Sequence, residues 1–238
     1  MNQDIKGQVA VVTGGTRGIG VAIAEALLRE GVQVAICGTD EVSVGKAVKS
    51  MQKLGRVEGQ VCDVSRFEDV EKFFAFVGTT FGRLDILVNN AGIGFFKPVD
   101  EIAPHEWRQL IETNLNGPFY CTHEAVPLMK KTGGGYIINL GSLAGRNTFA
   151  GGSCYNASKF GLNGFSEAIM LDLRHYNIRV SQIMPGSVQT DFAHMETSGG
   201  EWKIGVEEIG DMVVHLAKTP GRTLSSRIEM RPSKPPRK

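Results

Sequence analysis

Long apolar runs are the first thing this 238-residue chain lacks. No stretch reaches the ~20 consecutive apolar residues that a membrane-crossing helix needs, so no membrane role is expected. The first strand-like run begins at Gln8, and no charged-then-apolar leader precedes it. Charge of one sign is also missing. The 26 basic and 25 acidic residues leave a net charge of +1, without the broad footprint that nucleic acid requires. Cysteine is sparse: Cys37, Cys62, Cys121 and Cys154 are widely separated and form no C-x-x-C pair. Two of them fall in apolar runs, where a buried free thiol is the default, and a reduced, cytoplasmic protein is expected. Internal repeats, low-complexity segments and long linkers are absent as well. The basic tail, 231–238, is short and broken by prolines, which predicts a frayed, solvated terminus.

What is present is an alternation. Apolar runs at 8–13, 32–37, 57–62, 84–89, 136–140, 178–184 and 226–230 read as seven strands. Between them lie helical spacings at 21–30 closed by Gly31, 42–54 ending at Gly55, 66–81 closed by Gly82, 104–131, 153–176 and 209–218, the last with an alternative start near Val206. Pro104 suits a first helical position, whereas Pro118 and Pro127 predict a bend or break within 104–131. The strands are continuous apolar runs rather than in/out alternations. That pattern predicts a parallel sheet covered by helices on both faces: an α/β, doubly wound, Rossmann-type single domain spanning 1–238.

The unusual residues collect at the carboxyl ends of the predicted strands. There stand the glycine turn Gly14–Gly20, Thr39, Asp63, Asn90-Ala91-Gly92, Ser142 and Pro185-Gly186. Ligands bind at that edge of an open parallel sheet, and six converging ends predict one long site. The turn spaces its glycines as G-x-x-x-G-x-G, which supplies a tight turn and close backbone approach to a pyrophosphate; read alone it is also compatible with a plain turn. Tyr155 and Lys159 stand four residues apart and project from one helix face. An ammonium beside a phenol favours the phenolate and brings tyrosine toward the range of a general acid, with Ser142 placed to polarise a substrate oxygen. The plain alternative is a tyrosine lying over a lysine on a solvated helix.

Thr13-Gly-Gly-Thr-Arg-Gly-Ile-Gly20, Asn89-Asn-Ala-Gly92, Asn114, Ser142, Tyr155-x-x-x-Lys159 and Pro185-Gly-Ser-Val-Gln-Thr190 together resemble the short-chain dehydrogenase/reductase family. The resemblance implies Tyr155 as general acid, Ser142 as a hydrogen-bond donor to the substrate oxygen, and Lys159 as the group that lowers the tyrosine pKa and grips the nicotinamide ribose. It implies that Asn114 holds a water in a proton relay. It assigns the cofactor to Gly14, Gly15, Thr16, Arg17, Gly18, Ile19 and Gly20, with Asp63 and Val64 at the adenine. Asn90, Ala91 and Gly92 would line the adenosine-side ribose; Pro185, Gly186, Val188 and Thr190 would hold the nicotinamide side. Asp63 has an alternative as a helix-terminal charge with Ser65 as cap.

At the end of the second strand, where a carboxylate would select NAD, stand Gly38 and Thr39. With Arg17 in the turn, this implies NADP(H) rather than NAD(H), although Asp40 lies close by and Arg17 has a plain reading as a surface arginine. The expected activity is NADPH-dependent reduction of a ketone or aldehyde, with 3-oxoacyl carrier-protein reduction and a non-catalytic nucleotide-binding regulator as alternatives. A lid over 191–205, an apolar lining from Phe95, Phe96, Phe149, Phe192 and Met195, and a homodimer or homotetramer are further expectations. No metal is expected.

Overall fold

The computed structural model describes residues 3–190 and 200–236. The expected lid therefore lies mostly outside the described residues, as do Phe192, Met195 and the last two residues of the tail; the tail's described part, 231–236, is largely exposed.

Seven parallel strands form one sheet: β1 (Val9–Thr13), β2 (Gln33–Gly38), β3 (Val57–Val61), β4 (Ile86–Asn89), β5 (Gly135–Leu140), β6 (Ile178–Pro185) and β7 (Arg227–Met230). Their spatial order is β3-β2-β1-β4-β5-β6-β7, so the winding reverses between β1 and β4. That reversal opens a crevice at the carboxyl ends of the strands. The helices are α1 (Gly18–Arg29), α2 (Glu41–Met51), α3 (Phe67–Phe81), α4 (Pro104–Ile111), α5 (Gly117–Lys131), α6 (Ser153–Leu173) and α7 (Val206–Lys218).

Side chains that alternate along each strand feed two separate cores. Val12, Ile36, Val88 and Ile138 pack with Ile23 and Leu27 of α1 and Val213 and Leu216 of α7. Their neighbours Val11, Ala35, Leu87 and Ile137 pack on the opposite face with Phe73 of α3 and Met129 of α5. Burial on both faces is why the strands read as continuous apolar runs. Helix α7 presses so closely on α1 that a Cβ on Gly210 would lie 2.8 Å from the Ala22 carbonyl oxygen.

The expected break in 104–131 is present, but neither proline lies within it. One wide turn, the π-helical Glu112–Asn116, separates α4 from α5, and Gly117 donates its N–H to the Glu112 carbonyl across it. Pro118 falls just after, in the first turn of α5, where a missing N–H is tolerated. Pro127 stays inside α5 at an exposed position. Helix α2 stops at Met51, short of Gly55, because the Leu54 N–H turns back onto the Met51 carbonyl at 2.8 Å. Helix α6 ends at Leu173 and passes into a single 3₁₀ turn, Arg174–Tyr176.

Candidate active site

The glycine turn joins β1 to α1 in a conformation only small residues permit. Gly14 (φ +63°) and Gly18 (φ +52°) lie in the left-handed region. A Cβ on Gly20 would stand 2.1 Å from the Gly14 carbonyl oxygen, and one on Gly15 would stand 2.6 Å from Ile36 Cγ2. Arg17, exposed, is the N-cap of α1 and offers no side-chain cap. The first-turn N–H groups thus receive no cap from the Arg17 side chain, an arrangement that suits an anion. Thr16 packs on Gly38, and Ile19 leans on the α1 core.

The loop after β4 is tied to this turn. Thr13 Oγ1 accepts the N–H groups of Asn90 and Ala91, both at 3.0 Å. Asn90 Nδ2 donates to the Thr13 and Gly14 carbonyls at 2.9 and 3.2 Å. The Asn90 side chain thus secures the cradle itself, while Gly14 would bring a Cβ within 2.9 Å of Ala91 Cα. From the far side of the crevice, Thr190 Cγ2 comes 3.7 Å from the position of a Cβ on Gly18. Val188 bridges Ile204, and the Gly186 N–H donates to the Met230 carbonyl after Pro185 closes β6.

At the end of β2, Gly38 would bring a Cβ within 2.6 Å of Thr16 Cγ2, so the absence of a carboxylate there has a packing cause. Thr39 follows, exposed. Asp40 is the N-cap of α2 and accepts the Ser43 N–H at 2.8 Å, a bond that holds its carboxyl below the ordinary value. At the end of β3, Asp63 Oδ1 accepts from the Ser65 N–H and hydroxyl at 3.0 and 2.7 Å. That local turn supersedes Ser65 as cap, since α3 begins after Arg66, which has no side-chain cap bond. Val64 is buried against Gly117.

Ser142, Tyr155 and Lys159 converge at the carboxyl end of β5. Ser142 Oγ accepts the Ala144 N–H at 3.1 Å and hydrogen-bonds the Tyr155 phenol. Lys159 donates from Nζ to the Leu140 carbonyl at 2.9 Å and lies 5.8 Å from the Tyr155 ring centroid. Tyr155 and Lys159 are 8% and 6% exposed, which removes the reading of a pair on a solvated helix face.

Their electrostatics differ from the expectation. Burial pushes the Tyr155 phenol up to about 12, opposed by the Ser142 hydrogen bond. Burial draws the Lys159 ammonium down to about 8. Burial, rather than the nearby ammonium, sets the direction of the phenol's shift in the protein alone.

Asn114 has a structural task for its side chain. Its side-chain oxygen accepts the Ile93 N–H at 2.9 Å and its nitrogen donates to the Ile93 carbonyl at 2.8 Å, with Ser158 Oγ at 3.3 Å. The amide clamps the loop beyond Gly92. Its main-chain carbonyl is another matter: Pro118 carries no N–H to give it in an α-helical register.

Four residues contribute in ways the sequence does not announce. Thr13 anchors two main-chain amides, and a hydroxyl residue ending an apolar strand is its signal. The Leu140 carbonyl, which fixes Lys159, left no trace because every residue has one. Asn89 and Asn139 are register partners joined by a 2.8 Å hydrogen bond, and Asn139 reaches Ser166 on α6 at 2.9 Å. Two asparagines at equivalent places in apolar strands could have revealed that buried row.

The cradle, the uncapped helix start and the buried lysine together fit a dinucleotide: the glycines leave room where any side chain would intrude. Among the described residues no cluster of metal-ligating side chains occurs. No helix among them is long and apolar enough to cross a membrane.

Comparison with known proteins agrees with this geometry. The family model for short chain dehydrogenase matches residues 8–200. An uncharacterized oxidoreductase of Staphylococcus saprophyticus is 30% identical over 231 residues, covering 96% of this chain and 99% of that protein. A 3beta-hydroxysteroid dehydrogenase of Mediterraneibacter gnavus is 36% identical over 204 residues, covering 85% and 73%. Among solved structures, a metagenomic short-chain oxidoreductase in complex with NADP superposes with a TM-score of 0.86 at 35% identity, covering 98% of this chain and 100% of the other. An alcohol dehydrogenase from Thermococcus sibiricus complexed with 5-hydroxy-NADP gives 0.90 at 29% identity, covering 97% and 99%.

Proposed function

This chain belongs to the short-chain dehydrogenase family of oxidoreductases, and on that premise we propose that it reduces a ketone or aldehyde to an alcohol with NADPH, Tyr155 serving as the acid. The observation that carries the reading is the Ser142–Tyr155 hydroxyl pair beside buried Lys159, at the mouth of a cradle suited to a dinucleotide. Gly14, Gly15, Thr16, Gly18, Ile19 and Gly20 would admit the pyrophosphate, with Asp63, Val64, Ala91 and Gly92 around the adenosine and Pro185, Gly186, Val188 and Thr190 on the nicotinamide side. When bound, the nicotinamide supplies the hydride.

The side chains then divide the remaining work. Ser142 donates to the substrate oxygen and orients it. Tyr155, held neutral by burial, keeps the proton that this oxygen must receive. Lys159, drawn down to about 8, lies close enough to the working pH to exchange protons and restore that of the phenol. The Asn114 main-chain carbonyl, to which Pro118 can give no α-helical N–H, would hold a water that links the site to solvent.

Selection of NADPH rests on features at the end of β2 and in the glycine turn. Gly38 leaves no carboxylate there, Asp40 is committed to capping α2, and Arg17 and Thr39 are both exposed beside the cradle. The NADP and 5-hydroxy-NADP bound to the two structural relatives support the same choice. The chain acts as one unit across 1–238, in a cytoplasmic setting supported by four buried free thiols. Phe119 on α5 and Phe160 and Leu171 on α6, exposed by 48%, 44% and 51%, support a homo-oligomer assembled through those helices.

The test is loss of NADPH absorbance with a panel of ketones, 3-oxoacyl thioesters and quinones. Tyr155→Phe should lower kcat by about 10²–10⁴-fold, the usual contribution of a positioned acid. Unchanged turnover would remove Tyr155 from the reaction. Arg17→Ala should weaken NADPH far more than NADH, whereas equal losses would end the phosphate role.

A further inference from the structure

Two large aromatic side chains stand in solvent beside the otherwise buried acid. Phe96 and Phe149 are 39% and 45% exposed, against 8% for Tyr155. Phe96 meets the Tyr155 ring at right angles, centroids 5.7 Å apart, and meets Phe149 edge-on at 5.3 Å. The three rings form a wall that runs from the phenol outward.

The wall is built, not loosely draped. The Phe149 ring lies on Gly152, where a Cβ would stand 2.7 Å from the ring carbon Cε2, and Gly152 caps α6 three residues before Tyr155. The loop carrying Phe96 is pinned to the loop carrying Phe149 by the Lys97 N–H, which donates to the Gly151 carbonyl at 2.8 Å. Behind Tyr155 the lining stays apolar: Ile93, Phe95 and Ile102 pack with Leu110 and Cys154.

Charge on these two loops is already committed. Lys97 pairs with Glu106, and Arg146 pairs with Glu229. A substrate carboxylate or phosphate arriving at the wall would have to break an existing ion pair, whereas a flat apolar group would cover exposed rings at no such cost. An edge-to-face aromatic stack accepts a further ring in the same arrangement.

Resting on the reductase reading above, we propose that the substrate is an uncharged aryl ketone whose ring stacks on Phe96 and Phe149, making these two residues the determinants of specificity. The carbonyl oxygen then reaches Ser142 and Tyr155 while the ring lies along the wall.

Binding and turnover test this separately. Fluorine NMR titration of para-fluoroacetophenone into the NADP⁺-loaded Tyr155→Phe protein reads binding without reaction. Adding Phe96→Ala or Phe149→Ala should raise the Kd about tenfold, in the range of a lost aromatic stack together with its buried area. In the otherwise native enzyme, either change should lower kcat/KM for the aryl ketone about tenfold more than for butanone. Should Phe96→Ala fold poorly, Phe96→Leu keeps the bulk without the ring, and the more exposed Phe149→Ala carries the same test.

Equal affinity of parent and variants for para-fluoroacetophenone overturns the proposal, as does a native preference for acetoacetate over acetophenone. Ring-dependent binding without turnover of any carbonyl would leave the wall standing and bring down the reductase reading instead.

Discussion

Replacing Lys159 by methionine should remove activity and at the same time make the folded protein more stable at neutral pH. The lysine is 6% exposed, and burial draws its ammonium from 10.5 to about 8. Between those values the unfolded chain keeps a proton that the folded chain has released, so stability rises with pH across that window. Below pH 8 both states are protonated and the fold bears the whole penalty, about 3 kcal/mol at ~1.4 kcal/mol per tenfold change in proton affinity. Methionine fills a similar volume without charge. It forfeits the 2.9 Å bond to the Leu140 carbonyl, worth about 1 kcal/mol, which leaves a net gain of about 2 kcal/mol at pH 7. Urea unfolding of both proteins without cofactor, from pH 6 to 10.5, measures the difference directly. The advantage of Lys159→Met should be flat up to pH 8, then shrink and change sign as pH approaches 10.5. A variant less stable at pH 7, with a difference that does not vary with pH, would refute the idea that this site holds its lysine against the lysine's own charge.

Gly20→Ala would place a methyl 2.1 Å from the Gly14 oxygen and 2.7 Å from Asn90 Nδ2; at about 2–4 kcal/mol for overpacking plus disturbed hydrogen bonds, it should lower the melting midpoint and abolish NADPH binding in a fluorescence titration. Thr13→Val removes the acceptor of two main-chain amides and should cost about 2 kcal/mol in denaturant unfolding, with weaker cofactor binding. Asn114→Leu frees both polar groups of Ile93, so it should destabilise the fold by about 2 kcal/mol and also reduce kcat, whereas a pure water-relay role for the side chain would leave stability unchanged.

The strands and the glycine turn were readable because their signals are local. Val9–Thr13 is apolar on both faces, and a turn of glycines between strand and helix has few alternatives. Tyr155 and Lys159 were readable by helical spacing alone. Their ionisation was not, because it depends on burial, and burial is set by residues from several strands and helices. The break near Asn114 was expected from the prolines, yet its place and form depend on one i→i+5 bond, Gly117 to Glu112, that no propensity marks. The Asn114 side-chain clamp is not legible in the sequence, since its partner Ile93 lies 21 residues earlier in the chain. Asp63 shows the reverse: the short Asp-Val-Ser segment contained its hydrogen bonds, but two equally local capping schemes competed for it.

A wide turn in a helix is also a change of phase. Each residue of an α-helix advances about 100° around its axis, so one surplus residue between α4 and α5 lets the two halves present different sides to their surroundings. That is how Leu110 can face the Tyr155 side of the molecule while Cys121 and Met129, further along the same run, face α3. Deleting a single residue from 112–116 would restore an unbroken spiral and swing one half by roughly a quarter turn. Either Leu110 or Met129 would then point at water. Along this run, chain length is under tighter constraint than residue identity.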